Sequence, residues 1–104
     1  MSNKNYRAGA RCEYKLVNIL RKRGWKAQRF AGSHSDFDVW SMNLEGEEYL
    51  FQCKRIEKYN EATVKRLQGE FTKVLNDFKG YHESHAFCDL AIFVKGGKII
   101  SQYI

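Results

Sequence analysis

The first regular pattern of apolar residues lies near the N-terminus. Leu16, Val17 and Leu20 recur at the spacing of one helical face, which predicts a helix from about Asn5 to Arg23. Gly24 follows, where a glycine commonly ends a helix. The same segment carries a stripe of basic residues at spacings of four and seven, consisting of Arg7, Arg11, Lys15 and Lys22. Glu13 lies one turn before Leu16, so it projects from the apolar side of this helix.

Short apolar runs then predict three strands, Trp25–Phe30, Asp36–Met42 and Glu48–Lys54. Small residues from Ala31 to Ser35 form the first connection, where the chain either makes an ordinary turn or brings its backbone close to a ligand. The second connection, Asn43–Gly46, is short enough to predict an antiparallel hairpin.

A charged loop from Arg55 to Tyr59 leads to Asn60, a residue type that caps helix N-termini. Apolar residues at helical spacing predict a second helix over Glu61–Lys79, which Gly80 would end. Its apolar positions are Val64, Leu67, Phe71, Val74, Leu75 and Phe78.

The last two elements are strands. Ala86–Val94 is the most apolar segment and is expected to be central in the sheet. Gly96 and Gly97 then predict a turn into a final strand, Lys98–Tyr103. The order α-β-β-β-α-β-β predicts one domain over residues 1–104. It would contain a mixed five-stranded sheet flanked by helices, in the α/β or α+β class.

Charge and cysteine content narrow the functional classes. A formal net charge of +6 and a pI of about 9.3 favour polyanionic partners, chiefly nucleic acid. Three cysteines in scattered contexts, Cys12, Cys53 and Cys88, are typical of a reducing compartment. The N-terminal residues lack the apolar core of a signal peptide, and no apolar run is long enough to span a membrane. We therefore expect a cytoplasmic protein, cellular or virus-encoded.

Candidate chemistry lies in the predicted hairpin. Because side chains alternate along a strand, Gln52 and Lys54 share one face of the third strand. Asp36 and Asp38 likewise share a face of the second strand, and Asp38 directly precedes an apolar run. Asp38, with Asp36 as the alternative, and Glu13 of the first helix would make a hard oxygen site suited to Mg²⁺ or Mn²⁺. Such a site on a basic protein predicts metal-dependent chemistry at a phosphate.

Three segments in this order, GARCEYKLVNILRKRGW, RFAGSHSDFDVW and LFQCKR, carry a resemblance. The chain resembles the PD-(D/E)XK nuclease superfamily with its restriction-endonuclease-like fold, and most closely the archaeal-type Holliday junction resolvases. The resemblance implies that Glu13, Asp38 and Lys54 are catalytic and that Ser33 lies near the scissile phosphate. Gln52 departs from the glutamate usual in the resolvases and resembles the QxK variant of Mrr-type endonucleases.

The resemblance implies a metal-dependent endodeoxyribonuclease that cuts four-way junctions as a twofold homodimer, with Mg²⁺ or Mn²⁺ as cofactor. The implied metal ligands are Glu13, Asp38, Gln52 and the backbone carbonyl of Cys53. The residues expected to bind DNA are Arg7, Arg11, Lys15, Arg29, Ser33, Arg55 and Lys58. Two alternatives stay open, an Mrr-like or repair nuclease acting on duplex DNA and a non-catalytic DNA-binding module that has lost its metal at Gln52.

A second metal site is not favoured by the sequence. His82, His85 and Cys88 stand at regular spacing, but zinc needs about four ligands and no fourth has suitable spacing. Cys88 belongs to an apolar strand, where a thiol acts as a small hydrophobic group. Tyr59, Phe71 and Phe78 are expected in the core or at a dimer surface and not as base-stacking platforms.

Overall fold

The structure, a computed structural model, describes the backbone of residues 3–30, 37–81 and 86–104, and the side chains of these ranges apart from residues 3–10 and 78–81. The elements are α1 (Asn3–Lys22), β1 (Lys26–Arg29), β2 (Val39–Met42), β3 (Glu48–Ile56), α2 (Glu61–Tyr81), β4 (Phe87–Val94) and β5 (Ile99–Ile100). This is the α-β-β-β-α-β-β order that the sequence predicts. No helix in these ranges has the length and apolar character needed to cross a membrane.

The five strands form one mixed sheet in the order β1-β2-β3-β4-β5. β3 and β4 are parallel, because α2 carries the chain back between them, and the other three pairs are antiparallel. The expected hairpin is present, with Val39 opposite Phe51 and Met42 opposite Glu48. Gly46 has a φ of 84° in its turn, a conformation that favours glycine.

The two helices cover opposite faces of the sheet, and β3 contributes side chains to both. Tyr49, Phe51 and Cys53 belong to the apolar cluster beneath α1. Leu50 and Ile56 belong to the cluster beneath α2. Alternation therefore places Gln52 and Lys54 on the α2 face, as the sequence predicts for that pair.

Several boundaries differ from the sequence prediction. β3 continues beyond Lys54, because Arg55 and Ile56 still pair with β4, so the expected charged loop begins at Glu57. α2 runs through Gly80 to Tyr81 instead of ending at Gly80, since a glycine inside a helix costs only about 1 kcal/mol. β1 and β2 are shorter than expected, at four residues each. The middle strand of the sheet is β3 and not the more apolar β4.

The final strand is also shorter than predicted, and Asp89 explains why. Asp89, 5% exposed in β4, accepts hydrogen bonds from the backbone N–H groups of Gln102 and Tyr103 at 3.1 and 3.0 Å. The Ser101 hydroxyl also donates to Asp89, at 2.5 Å. Residues after Ile100 therefore bond to a side chain of β4 and leave the strand ladder.

We expect Asp89→Ala to lower the free energy of unfolding by about 3 kcal/mol, because it leaves the partly buried donors of Ser101, Gln102 and Tyr103 without their acceptor. Asp77→Ala, at an exposed position of α2, is the matched control and should change it by less than about 0.5 kcal/mol. Urea unfolding followed by circular dichroism measures both. Equal effects of the two substitutions would show that Asp89 does not hold the C-terminal segment.

Candidate active site

Asp38 lies where β2 begins, between β1 and β3. Its backbone N–H donates to the carbonyl of Phe51 at 2.8 Å, and its carbonyl accepts from the N–H of Phe30 at 3.0 Å. Its side chain replaces a backbone acceptor: Oδ2 accepts the N–H of Cys53 at 2.8 Å. The carboxylate is thus fixed against β3 at the residue between Gln52 and Lys54.

Burial shapes the protonation of Asp38. Desolvation raises the pKa of this carboxyl above its ordinary value, and the hydrogen bond from Cys53 and the charges of Lys54 and Arg29 oppose that rise. The carboxylate is therefore a partly desolvated anion with two cationic side chains in electrostatic reach. Its desolvation favours a cation beside it, and Lys54 and Arg29 already supply part of that positive charge.

Glu13 reaches the same region from α1. Its side chain is 18% exposed, and Oε1 accepts a hydrogen bond from Nε of Arg29 at 3.0 Å. The Arg29 guanidinium also lies over the ring of Tyr14, at 4.4 Å from the centroid. The hydrogen bond to Glu13 raises the pKa of Arg29 further. Arg29 therefore connects Glu13 of α1 to the end of β1.

The thiols of Cys12 and Cys53 lie within electrostatic range of Glu13 and Asp38. Burial raises the pKa of Cys12 and of Cys53, and the charges of Glu13 and Asp38 raise both further. Glu13 and Asp38 thus lie within electrostatic range of the same two thiols. Both thiols are therefore protonated at neutral pH in the metal-free protein.

Lys54 and Gln52 flank the Asp38 contact on the α2 face. Lys54 is exposed and lies opposite Ile92 inside β3, two residues before its end, where the sequence predicts a strand terminus. Gln52 is half-buried opposite Leu90. The structure thus brings Asp38, Cys53 and Lys54 together and links Glu13 to them through Arg29.

Some predicted site residues lie outside the described part of the chain. These are Ser33 and Asp36, together with His82 and His85. The side chain of Arg7 is likewise not described, although its backbone belongs to α1. The choice between Asp36 and Asp38 as a metal ligand accordingly stays a prediction.

The remaining predicted DNA-binding residues are exposed and lie on α1, on β3 and in the segment after β3. Arg11 and Lys15 are exposed on α1 and line a groove that Arg55 also lines. Arg55 donates from Nη1 to Glu57 at 2.9 Å. Lys58 is exposed in the segment after β3.

Sequence reasoning missed Tyr14, the ring beneath Arg29. Its only sequence signal was its place beside Glu13 on the helix, at a position that proves to be 56% exposed. Glu13 and Arg29 are 16 residues apart in the sequence, so no local sequence pattern predicts their pairing.

Within the described residues, no group of three or more His, Cys, Asp or Glu side chains could hold a metal ion. The predicted ligands whose side chains are described are two carboxylates, Asp38 and Glu13, and the amide of Gln52. Hard cations accept amide and backbone carbonyl oxygens as well as carboxylates. The residues present therefore fit Mg²⁺ or Mn²⁺, with less negative charge than three carboxylates would supply.

Comparison with known proteins is decisive for the family. The family model of the archaeal Holliday junction resolvase (Hjc) matches residues 4–91. The chain belongs to the archaeal Holliday junction resolvase family. That range includes Glu13, Asp38, Gln52 and Lys54, and it confirms the main interpretation of the sequence as a nuclease of this kind.

A solved structure agrees at the level of the fold. The structure of Archaeoglobus fulgidus Hjc, a Holliday junction resolvase from an archaeal hyperthermophile, matches with a TM-score of 0.60 at 19% identity. The match covers 90% of this chain and 70% of that chain. No curated protein matches the chain significantly. The likeness confirms the mixed α+β sheet with two helices, which is the fold class expected from the sequence.

The raised pKa of Asp38 gives a test of its burial. The native state holds this proton more tightly than the unfolded chain, so the free energy of unfolding falls as pH rises from the unfolded to the folded pKa. Asp38→Asn keeps an oxygen for the Cys53 N–H and removes the desolvated charge. We expect its melting temperature in metal-free buffer to exceed that of the wild type at pH 7.

The difference in melting temperature should shrink as pH is lowered towards 4, because wild-type Asp38 then becomes neutral as well. Thermal unfolding followed by circular dichroism across this range measures it. Asp77→Asn, at an exposed position, is the control and should show no comparable trend. A gap that does not change with pH would contradict the assignment.

Proposed function

We propose that this protein resolves four-way DNA junctions by divalent-metal-dependent hydrolysis of phosphodiester bonds at Glu13, Asp38, Gln52 and Lys54. The observation that carries the proposal is the 2.8 Å hydrogen bond from the Cys53 N–H to Asp38. It joins the acidic residue before β2 to the QxK segment of β3. The bond brings the segment around Asp38 next to Gln52–Lys54, so the two segments form one site. The net charge of +6 on the chain favours DNA as the substrate.

The metal ion would be Mg²⁺ or Mn²⁺, held by Asp38, Glu13, the Gln52 amide oxygen and the backbone carbonyl of Cys53. When bound, such an ion polarises a phosphate oxygen and lowers the pKa of a water ligand. The partly desolvated carboxylate of Asp38 supports this assignment, because a cation relieves the cost of ionising it.

The basic side chains have separable roles in the proposal. Lys54, exposed beside Asp38, is placed to stabilise the negative charge that develops on the phosphate during hydrolysis. Arg29 holds Glu13 and reaches Asp38 electrostatically, so it orients the carboxylates and binds the DNA backbone nearby. Arg7, Arg11, Lys15, Arg55 and Lys58 bind flanking phosphates, and Ser33 adds a contact at the scissile one.

The proposal includes a twofold homodimer. Resolving a junction takes two symmetric cuts, and a twofold axis presents two identical sites to one DNA face. A chain of 104 residues supplies one such site. The dimer is accordingly an expectation from symmetry and from the family.

A DNA-binding module without catalysis is the second candidate, and Gln52 favours it. An amide adds no charge to the ligand set, which leaves two carboxylates among the described candidates to hold a divalent ion. The module would keep the basic surface and bind branched DNA. Cleavage assays separate this candidate from the nuclease.

We expect the wild type to cut a four-way junction at least about tenfold faster than a linear duplex of the same sequence in Mg²⁺ or Mn²⁺. Lys54→Ala and Asp38→Ala should lower the junction cleavage rate by about 10²-fold or more, the scale for losing charge stabilisation of a transition state. Both variants should still bind the junction. Single-turnover cleavage and electrophoretic mobility shifts measure the two properties.

Lys73→Ala, at an exposed position of α2, is the matched control and should cleave like the wild type. Equal cleavage of junction and duplex would contradict junction selectivity and favour a duplex nuclease. Junction binding without any metal-dependent cleavage by the wild type would favour the binding module.

A Gln52→Glu substitution tests the ligand set. The added charge should lower the Mg²⁺ concentration that gives half-maximal cleavage by several-fold, because metal affinity rises with the number of charged ligands. An Asn76→Asp substitution, at an exposed position near the C-terminal end of α2, makes the same change of charge and should leave the concentration unchanged. An identical metal requirement in all three proteins would show that Gln52 does not contact the metal.

A further inference from the structure

A groove separates α1 from the turn between β4 and β5. Its volume is about 450 Å³, within the range of pockets that hold small ligands. Five cationic side chains line it, and none of its described lining residues is acidic. The cations are Arg11, Lys15, Lys22, Arg55 and Lys95.

The floor of the groove differs chemically from its rim. Ile19 and Ile99, both half-buried, line it together with the buried Phe93. Gly96 and Gly97 form the far wall with φ of 105° and 109°, and a side chain at either position would meet nothing within 4 Å. The wall therefore leaves open backbone beside an apolar surface, with charges above it.

The cations follow one line along α1. Arg11 and Lys15 are one helical turn apart, and Lys22 lies about two turns further, so the row extends over roughly 16 Å. At its Arg11 end the groove adjoins the candidate active site, because Cys12 is one of its lining residues and the charges of Glu13 and Asp38, like those of Arg55 and Lys15, act on the pKa of the Cys12 thiol. The groove thus runs away from the place of cleavage.

Most of this charge is not neutralised within the protein. Among the described side chains, Arg11, Lys15 and Lys22 form no ion pair. Glu57 pairs with Arg55 at 2.9 Å and with Lys95 at 3.7 Å, but all three side chains are exposed, and such pairs contribute only about 0–1 kcal/mol. A ligand with a row of negative charges would therefore find most of the cations available.

We propose that this groove binds a short unpaired stretch of single-stranded DNA next to the branch point. The row of cations matches a sugar-phosphate backbone, and the apolar floor accepts the faces of bases. Its small volume favours one strand over a duplex, which is far wider. The inference rests on the proposed function, because a nuclease site at the branch point determines which part of the DNA reaches the groove.

The first test measures binding without cleavage. Fluorescence anisotropy with a labelled oligo(dT) of about ten nucleotides, in EDTA, should show tighter binding than to a duplex of equal length. Lys22→Glu and Lys95→Glu should each weaken oligo(dT) binding by about tenfold at low salt. Each should also reduce the slope of log affinity against log salt, by about 0.7 for every phosphate that the protein no longer neutralises.

Two further variants sharpen the result. Lys73→Glu makes the same change of charge on α2 and should alter oligo(dT) affinity by less than about twofold. Glu57→Gln should strengthen binding by about two- to threefold, because it releases Arg55 and Lys95. Opposite effects of Glu57→Gln and Lys22→Glu, together with little effect of Lys73→Glu, identify the groove as the binding site and separate it from a general effect of net charge.

Three results would overturn the proposal. The groove variants would weaken duplex binding as much as oligo(dT) binding if this surface were a general basic patch. Equal affinity for polyglutamate of the same length would show that charge alone is recognised. Effective competition by thymidine monophosphate at equal nucleotide concentration would show a site for a single nucleotide and not for a strand.

Failure of this inference is distinguishable from failure of the proposed function. If the wild type cuts junctions but the Lys22→Glu variant binds oligo(dT) normally, the nuclease assignment stands and the groove proposal is wrong. If the wild type never cuts a junction but the Lys22→Glu, Lys95→Glu and Glu57→Gln variants change oligo(dT) affinity as expected, the groove proposal stands and the nuclease assignment is wrong. Circular dichroism at the working temperature verifies that each variant is folded.

Discussion

The hydrogen bond between the Asp38 carboxylate and the Cys53 N–H is the contact on which the candidate site depends. It forms where the antiparallel pairing of β2 with β3 ends, so a side chain takes over from the backbone ladder. The same hydrogen bond stabilises the partly buried carboxylate, because it replaces a hydrogen bond that water would otherwise donate.

The sheet gives this contact a rigid support. β3 is the middle strand and has an apolar cluster on each face, so its residues are fixed from both sides. α1 covers one face and brings Glu13 to the edge of the site. At the other side of the sheet, Asp89 secures the chain after β5, which keeps the parallel partner of β3 in place.

Much of the fold follows from local pattern. The apolar period of α2, the cap by Asn60 with its 3.1 Å bond to the N–H of Thr63, and the turn at Gly46 are all properties of neighbouring residues. The errors occurred where distant contacts decide. Arg55 looks like a loop residue but lies in a strand, because its partner Phe93 continues the parallel ladder. Ser101 looks like a strand residue but bonds to Asp89, twelve positions earlier.

The site divides in the same way. Period-two alternation placed Gln52 and Lys54 together, and the apolar run after Asp38 placed that residue beside them. The Glu13–Arg29 pair was beyond reach, because it joins a helix to a strand end across the sheet edge. Its consequence is electrostatic: Arg29 places a positive charge against Glu13 and within electrostatic reach of Asp38. The side chains of Arg29 and Glu13 are 25% and 18% exposed, so solvent screens this ion pair less than it screens a pair on the open surface.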